Sequence, residues 1–307
     1  MSPLEVALDD YLRLRRSLGH KLDRSGRELA KFVAYMDSIG AETVTMEAAL
    51  AFVLDPALDP ATTVPGARLT AVRGFARHLA GSDPRTELPP CGLVTDRPRR
   101  RTPWLFSDQD VAAVAAAARE STPFPFRAQT LTTLIGLLAV TGMRVGEALR
   151  LDRADIDWDQ AVIEVRNTKF TKGRDLPVTP STIEALQAYL QRPDRPSSTS
   201  HRLFVSLAGT PVFYTDFHKT FTDAVNAARI GRDTPIRPRI HDLRHSFALR
   251  TVVAWYRQGL DVEAVLPRLS TYLGHREPRY TYHYLTAAPE LLAAAAVRLE
   301  ASMAVIP

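Results

Sequence analysis

Apolar positions in the first eighty residues recur at helical spacing, with no alternating run among them. Leu4, Leu8, Tyr11 and Leu18 share one face, and Leu29, Phe32, Val33 and Met36 follow the i, i+3, i+4, i+7 rule. Met46, Leu50 and Val53 form a third stripe, and Leu69, Val72, Ala76 and Leu79 a fourth. Gly40 and Gly81 stand where the second and fourth helices should stop. The pattern predicts a helical bundle over residues 1–82 with basic side chains on its outer faces.

The texture changes over residues 83–103. Pro84, Pro89, Pro90, Pro98 and Pro103 forbid a regular helix, so an extended, basic linker is expected. Arg97, Arg99, Arg100 and Arg101 gather at its end, either to track a phosphate backbone or as a solvated charge run.

A second domain, residues 104–307, opens where Ser107 and Asp110 can cap a helix. Leu131, Leu134, Ile135 and Leu138 predict a strongly apolar helix ending at Thr141-Gly142. Ala161–Val165 and Arg174–Val178 are β-prone and separated by a turn, the mark of a hairpin. Thr179-Pro180 starts another helix, Leu203–Val205 can add a strand, and Phe217, Phe221 and Val225 line a further helix. Gly231–Arg239 is irregular and basic. The fold class expected is mainly α with a small antiparallel β-sheet in the second domain.

Composition narrows the function classes. In 307 residues, 45% hydrophobic and 24% charged, the balance is that of a folding globular chain, and the length is comfortable for two domains. The formal charge of +5, mostly arginine, leans toward an anionic partner. The single cysteine, Cys91, excludes an internal disulfide and a cysteine metal cluster, and fits a reducing compartment. No apolar run approaches the roughly 20 residues of a membrane span, and Ser2–Asp10 does not read as a signal peptide. A cytoplasmic, nucleoid-associated location is expected.

The candidate chemistry centres on Ile240–Ala248, where His241 and Arg244 stand one turn apart if the stretch is helical. A guanidinium fork matches phosphate oxygens in geometry and charge, and an imidazole exchanges protons near neutral pH. Arg144 lies just past the glycine that ends the apolar helix, with Glu147 three residues on to hold it. Lys169 and Lys172 lie in the hairpin turn with Arg174 after them, His275 follows Leu273-Gly274, and Tyr280, Tyr282 and Tyr284 come last. Singly, each has an ordinary explanation: a surface ion pair, solvated lysines, a histidine at a helix C-terminus, packed tyrosines. A metal site at His241, Asp242 and His245 fits poorly, because the metalloprotease pattern has glutamate where Asp242 stands and no intervening arginine.

Together and in this order, these motifs over Thr141–Leu285 resemble the tyrosine recombinase and phage-type integrase family, of the Xer-like or transposon-encoded kind. The helical front domain and linker are similar to the family's core-binding domain and interdomain linker in architecture alone. The resemblance implies an integrase-like catalytic domain in which Arg144, Lys169, His241, Arg244 and His275 surround a scissile phosphate, supported by Glu147, and Tyr284 attacks it. Lys169 is preferred to Lys172 because the family's lysine opens the Lys-x-x-Lys-x-Arg turn; Tyr284 is preferred to Tyr282 by its distance from His275. Lys172, Arg174, Arg99, Arg100 and Arg101 are then expected to contact DNA. The implied reaction is DNA strand transfer through a 3′-phosphotyrosine, without metal, ATP or cofactor, serving integration, transposition or recombination. The implied partners are double-stranded DNA, further copies of the chain in a tetramer on paired sites, and accessory DNA-bending or directionality factors. The alanine-rich tail Leu291–Met303 is either a helix donated to a neighbouring subunit or an ordinary packing helix. Two rivals share the scaffold: a catalytically silent, sequence-specific DNA-binding or architectural protein, and a topoisomerase that only relaxes supercoils.

Overall fold

The computed structural model describes residues 2–57, 62–94, 102–166, 173–275, 277 and 281. The chain divides into two compact units, Met1–Arg101 and Thr102–Pro307.

The first unit contains α1 (Pro3–Ser17), α2 (Asp23–Ser38), α3 (Met46–Val53) and α4 (Val64–Leu79). The Ser2 hydroxyl accepts the Glu5 N–H at 3.1 Å while the Glu5 carboxylate accepts the Ser2 N–H at 2.8 Å, a reciprocal cap that starts α1 ahead of Pro3. Leu29, Phe32, Val33 and Met36 of α2 and Leu69, Val72, Ala76 and Leu79 of α4 are buried as their spacing predicts. Two details differ. Leu18 lies past the end of α1 and is exposed, and α3 buries Ala48, Ala49, Phe52 and Val53 in place of Met46 and Leu50. Phe52 sets that rotation: its ring lies 5.2 Å from Phe32 and carries the Arg68 guanidinium 4.4 Å above it. The start of the proline-rich stretch is tied back to this unit, since the Glu87 N–H donates to the Val44 carbonyl at 2.8 Å and the Thr86 and Thr43 hydroxyls meet at 3.2 Å. Arg97, Arg99, Arg100 and Arg101 lie outside the described residues.

The second unit contains α5 (Asp108–Glu120), α6 (Pro125–Thr141), the short α7 (Val145–Ala148), a 3-10 turn at Arg153–Asp155, and strands β1 (Ile156–Asp157), β2 (Val162–Val165) and β3 (Arg174–Pro177). It continues with α8 (Pro180–Leu190), α9 (Tyr214–Ala227), α10 (Ile240–Arg257) and α11 (Val262–Leu273). Ser107 and Asp110 cap α5 reciprocally. Apolar on nearly every side, α6 runs through the core, with Leu134, Ile135 and Leu138 buried. The sheet is antiparallel in the order β1-β2-β3, and Ile163 faces Leu176, both fully buried. Leu203–Val205 is buried but forms isolated bridges instead of a strand: Val205 pairs with Pro211, which has no N–H to extend a ladder. The fold is thus mainly α with one small antiparallel sheet.

The apolar pattern made no prediction for α11. Pro267 inside it removes a helical hydrogen bond, and the helix is held by Leu266, Leu269 and Leu273 clustering with Val252 and Val253 of α10.

Gly142 ends α6 in the left-handed region at φ 59°, and a Cβ there would lie 2.5 Å from Phe247 Cδ1. Left-handed backbone and overpacking together make Gly142→Ala destabilising by about 2–4 kcal/mol. Gly136 in the same helix, where a Cβ meets nothing within 4 Å, is the control: Gly136→Ala is expected to leave the chemical-denaturation midpoint unchanged or raised.

Candidate active site

The site is assembled from three helix ends. After Gly142 the chain is extended, and Arg144 stands at the N-cap of α7. Glu147, on the first turn, accepts the Arg144 backbone N–H at 3.0 Å and its Nη1 at 2.7 Å. Arg144 Nη2 reaches across to donate to the Gly274 carbonyl at 2.8 Å.

At the start of α10, the fully buried Asp242 carboxylate accepts the Arg239 backbone N–H and its Nη2, each at 2.9 Å. One turn of helix then carries His241 and Arg244. The Arg244 side chain is buried, donating from Nη1 to the Gly142 carbonyl at 2.8 Å and from Nη2 to the Leu273 carbonyl at 2.6 Å. One guanidinium therefore ties the end of α6 to the end of α11.

Gly274, at φ 67°, ends α11 and turns the chain into His275. The carbonyls of Tyr272, Leu273 and Gly274 accept from Arg174, Arg244 and Arg144 respectively. These are the unsatisfied, partly negative carbonyls of a helix C-terminus, a natural seat for cations. His275 Nδ1 lies 2.8 Å from the Thr281 hydroxyl. Arg174, expected among the DNA contacts, has a side chain only 7% exposed and turned inward onto Glu147, with Nη2 2.7 Å from Oε2.

Arg144 and Arg174 both pair with Glu147, and Arg239 pairs with Asp242. Burial alone would push the Glu147 carboxyl up, but the hydrogen bond and charge of Arg174, then the hydrogen bonds from Arg144, hold it at about 2. Burial and then the charges of Arg244, Arg144, His241 and Arg174 push His275 down to about 3. His241 is pushed down to about 4 by desolvation and by Arg244, Arg239 and Arg144. Its side chain is exposed at the surface, so the repulsion from the guanidiniums is the stronger reason for the direction. Both imidazoles are neutral at pH 7, and an anion among the guanidiniums would relieve the repulsion.

Stability should follow these shifts. Glu147, depressed in the folded state, contributes above its unfolded value of about 4.3 and loses that contribution as pH falls toward 2. The histidines, also depressed, bind protons more readily when unfolded, so stability starts to drop below about pH 6.5. In calorimetry the free protein is expected to melt progressively lower from pH 7 to pH 5, and the His241→Gln/His275→Gln double variant to lose less over that interval. Equal slopes would place the titrating groups elsewhere.

Arg144, Glu147, His241, Arg244 and His275, all singled out from sequence, are brought together here. Lys169, Lys172, Tyr280, Tyr282 and Tyr284 lie outside the described residues. Sequence reasoning missed the three carbonyls of α11, the Thr281 contact and the cap by Asp242; the last had a signal, an acidic residue three positions after Arg239. A separate apolar groove lined by Leu131, Val205, Phe213 and Phe217 shares no residue with this cluster.

A basic cluster at the meeting of three helix ends, in a mainly helical unit with one small sheet, offers guanidinium donors suited to a phosphate-sized anion. Residues 104–290 match the model of the phage integrase family. The integrase/recombinase y4rB of Sinorhizobium fredii is 40% identical over 98% of each chain. Among solved structures, the Tn1549 transposon integrase in complex with transposon right end DNA superposes with a TM-score of 0.68 at 17% identity, covering 98% of this chain and 99% of that one. A lambda integrase tetramer bound to a Holliday junction gives 0.64 at 17% identity over 92% of this chain and 76% of that one. The chain belongs to the phage integrase family. It is a tyrosine recombinase, a DNA strand-transferring enzyme.

Proposed function

We propose that this recombinase acts at paired sites in duplex DNA and that Arg144, Arg244, His241 and His275 enclose the scissile phosphate. The observation that carries the reading is that Arg144 and Arg244 both donate into the Leu273–Gly274 turn ahead of His275, with His241 on the first turn of α10 beside Arg244. Attack on a phosphodiester builds negative charge on the non-bridging oxygens, and guanidiniums aimed at them stabilise it without a metal. Tyr284 Oη forms the new bond to phosphorus as the bond to O5′ breaks. The tyrosine, with a reference pKa of about 10, must shed its proton; neutral His241 accepts it, and Lys169 donates one to the leaving O5′. The product is a 3′-phosphotyrosine and a free 5′ hydroxyl. Because one phosphoester replaces another, a second 5′ hydroxyl can reverse the step without ATP. The parts played by Lys169, with Lys172 as its competitor, and by Tyr284 rest on motif spacing.

Residues 1–82 serve as a core-binding unit and residues 104–307 as the catalytic unit, with Arg99, Arg100 and Arg101 along the phosphate backbone. Four copies act on paired sites, each offering the tail from Pro289 onward to a neighbour; a relative of the same fold is a tetramer on a Holliday junction. The working location is the cytoplasm, at the nucleoid; no described helix is long and apolar enough to cross a membrane.

The test is covalent capture. Duplexes selected from a random library for binding, then nicked beside the footprinted centre, should give a denaturant-resistant protein–DNA adduct in chelator and without ATP. A duplex that is bound and footprinted but never trapped would make the protein a silent DNA-binding factor.

A further inference from the structure

We infer that Arg174 is a positioning residue for strand cleavage, holding Glu147 and the α11 end in place instead of touching DNA. The inference rests on the proposed phosphate site and adds to it a residue that the hairpin motif would otherwise assign to the DNA backbone.

Four observations carry it. Arg174 opens β3, paired with Val165, and its side chain is nearly buried. Its fork is spent inward: Nη1 and Nη2 donate to the two Glu147 oxygens at 3.2 and 2.7 Å, and Nε donates to the Tyr272 carbonyl at 2.7 Å. The same carboxylate holds Arg144, whose other end grips the Gly274 carbonyl. Finally, Gly274 makes room for the fork, since a Cβ there would lie 2.8 Å from Arg174 Nη1.

The consequence is mechanical. Glu147 is gripped from both sides, so Arg144 is aimed by a carboxylate that cannot rotate. Tyr272, Leu273 and Gly274 are each tethered by a different arginine, so the turn that presents His275 has one geometry. Without Arg174, Glu147 keeps Arg144 alone, the Tyr272 carbonyl loses its donor, and both Arg144 and His275 gain freedom. Misplacement of about 1 Å in such groups costs roughly a hundredfold in rate. A phosphate-contacting arginine would instead lower affinity and reduce the salt dependence of binding.

The experiment compares Arg174→Gln and Arg174→Lys with the parent on a selected duplex. It measures affinity, the slope of affinity against salt, and the single-turnover rate of adduct formation on the nicked form at saturating protein. The expected result for Arg174→Gln is an affinity within about twofold, an unchanged salt slope, and cleavage slower by about 10–100-fold. Arg174→Lys keeps a cation beside Glu147 and serves where the glutamine variant melts below the assay temperature. An ammonium cannot make the three planar bonds, so this variant is also expected to cleave at least about tenfold more slowly at unchanged affinity. Adding Glu147→Gln to Arg174→Gln should slow cleavage little beyond the slower single variant, because the two act as one unit. Weakened binding with a salt slope reduced by about one and full cleavage at saturation would make Arg174 a phosphate contact and overturn the inference. Unchanged rate and affinity would overturn it equally. If the parent protein itself forms no adduct, the proposed function fails, which is a different result from a parent that traps and an Arg174 variant that traps as fast.

Discussion

Tyr284→Phe is expected to bind a selected duplex within about twofold of the parent and to form no covalent adduct, a loss of at least about a thousandfold. The substitution deletes one oxygen and keeps the ring, so packing and DNA contacts survive while the nucleophile vanishes. A histidine phosphoramidate formed in its place would be acid-labile, which separates it from a stable phosphotyrosine ester. Tyr282→Phe and Tyr280→Phe are expected to retain trapping. Adduct lost in Tyr282→Phe and kept in Tyr284→Phe would move the nucleophile two residues upstream and refute the spacing from His275.

Arg244 is expected to give the second-largest effect, and in two separable parts. Arg244→Lys keeps a positive charge but loses the planar fork, so cleavage should slow by about 10²–10³ while duplex affinity hardly changes. Arg244→Ala removes the donors to the Gly142 and Leu273 carbonyls as well. Each buried acceptor left without a donor costs about 1–3 kcal/mol, so the alanine variant should also melt several degrees lower. If the lysine variant cleaves normally, Arg244 is a structural clamp between α6 and α11 and not a transition-state contact.

Much of the fold was legible because it is local. The capping pair Ser107 and Asp110, the stop at Gly142 and the stripes of α2, α4 and α6 depend on residues within two turns of one another, and they occur as read. The hairpin was legible from its β-prone runs, though its third strand β1, two residues long, carries too little pattern to notice. Errors fell where a distant partner decides. Phe52 turns α3 toward Phe32 and Arg68 at the expense of Met46 and Leu50. Pro211 prevents Val205 from extending a strand. No expectation was formed for α11, which tolerates Pro267 because α10 packs against it.

The chain's own order of residues determined the family resemblance, and through it the reaction class: Arg144, His241, Arg244, His275 and the tyrosines occur in the succession of the tyrosine recombinases, and side-chain identity needs no coordinates. What each group faces was decided only by tertiary structure. Arg174 reads as one more cation after two lysines, yet folding β3 against the end of α11 buries it on Glu147. The Tyr272, Leu273 and Gly274 carbonyls belong to the backbone, identical at every residue, and become cation seats only because a helix ends there beside three arginines from distant segments.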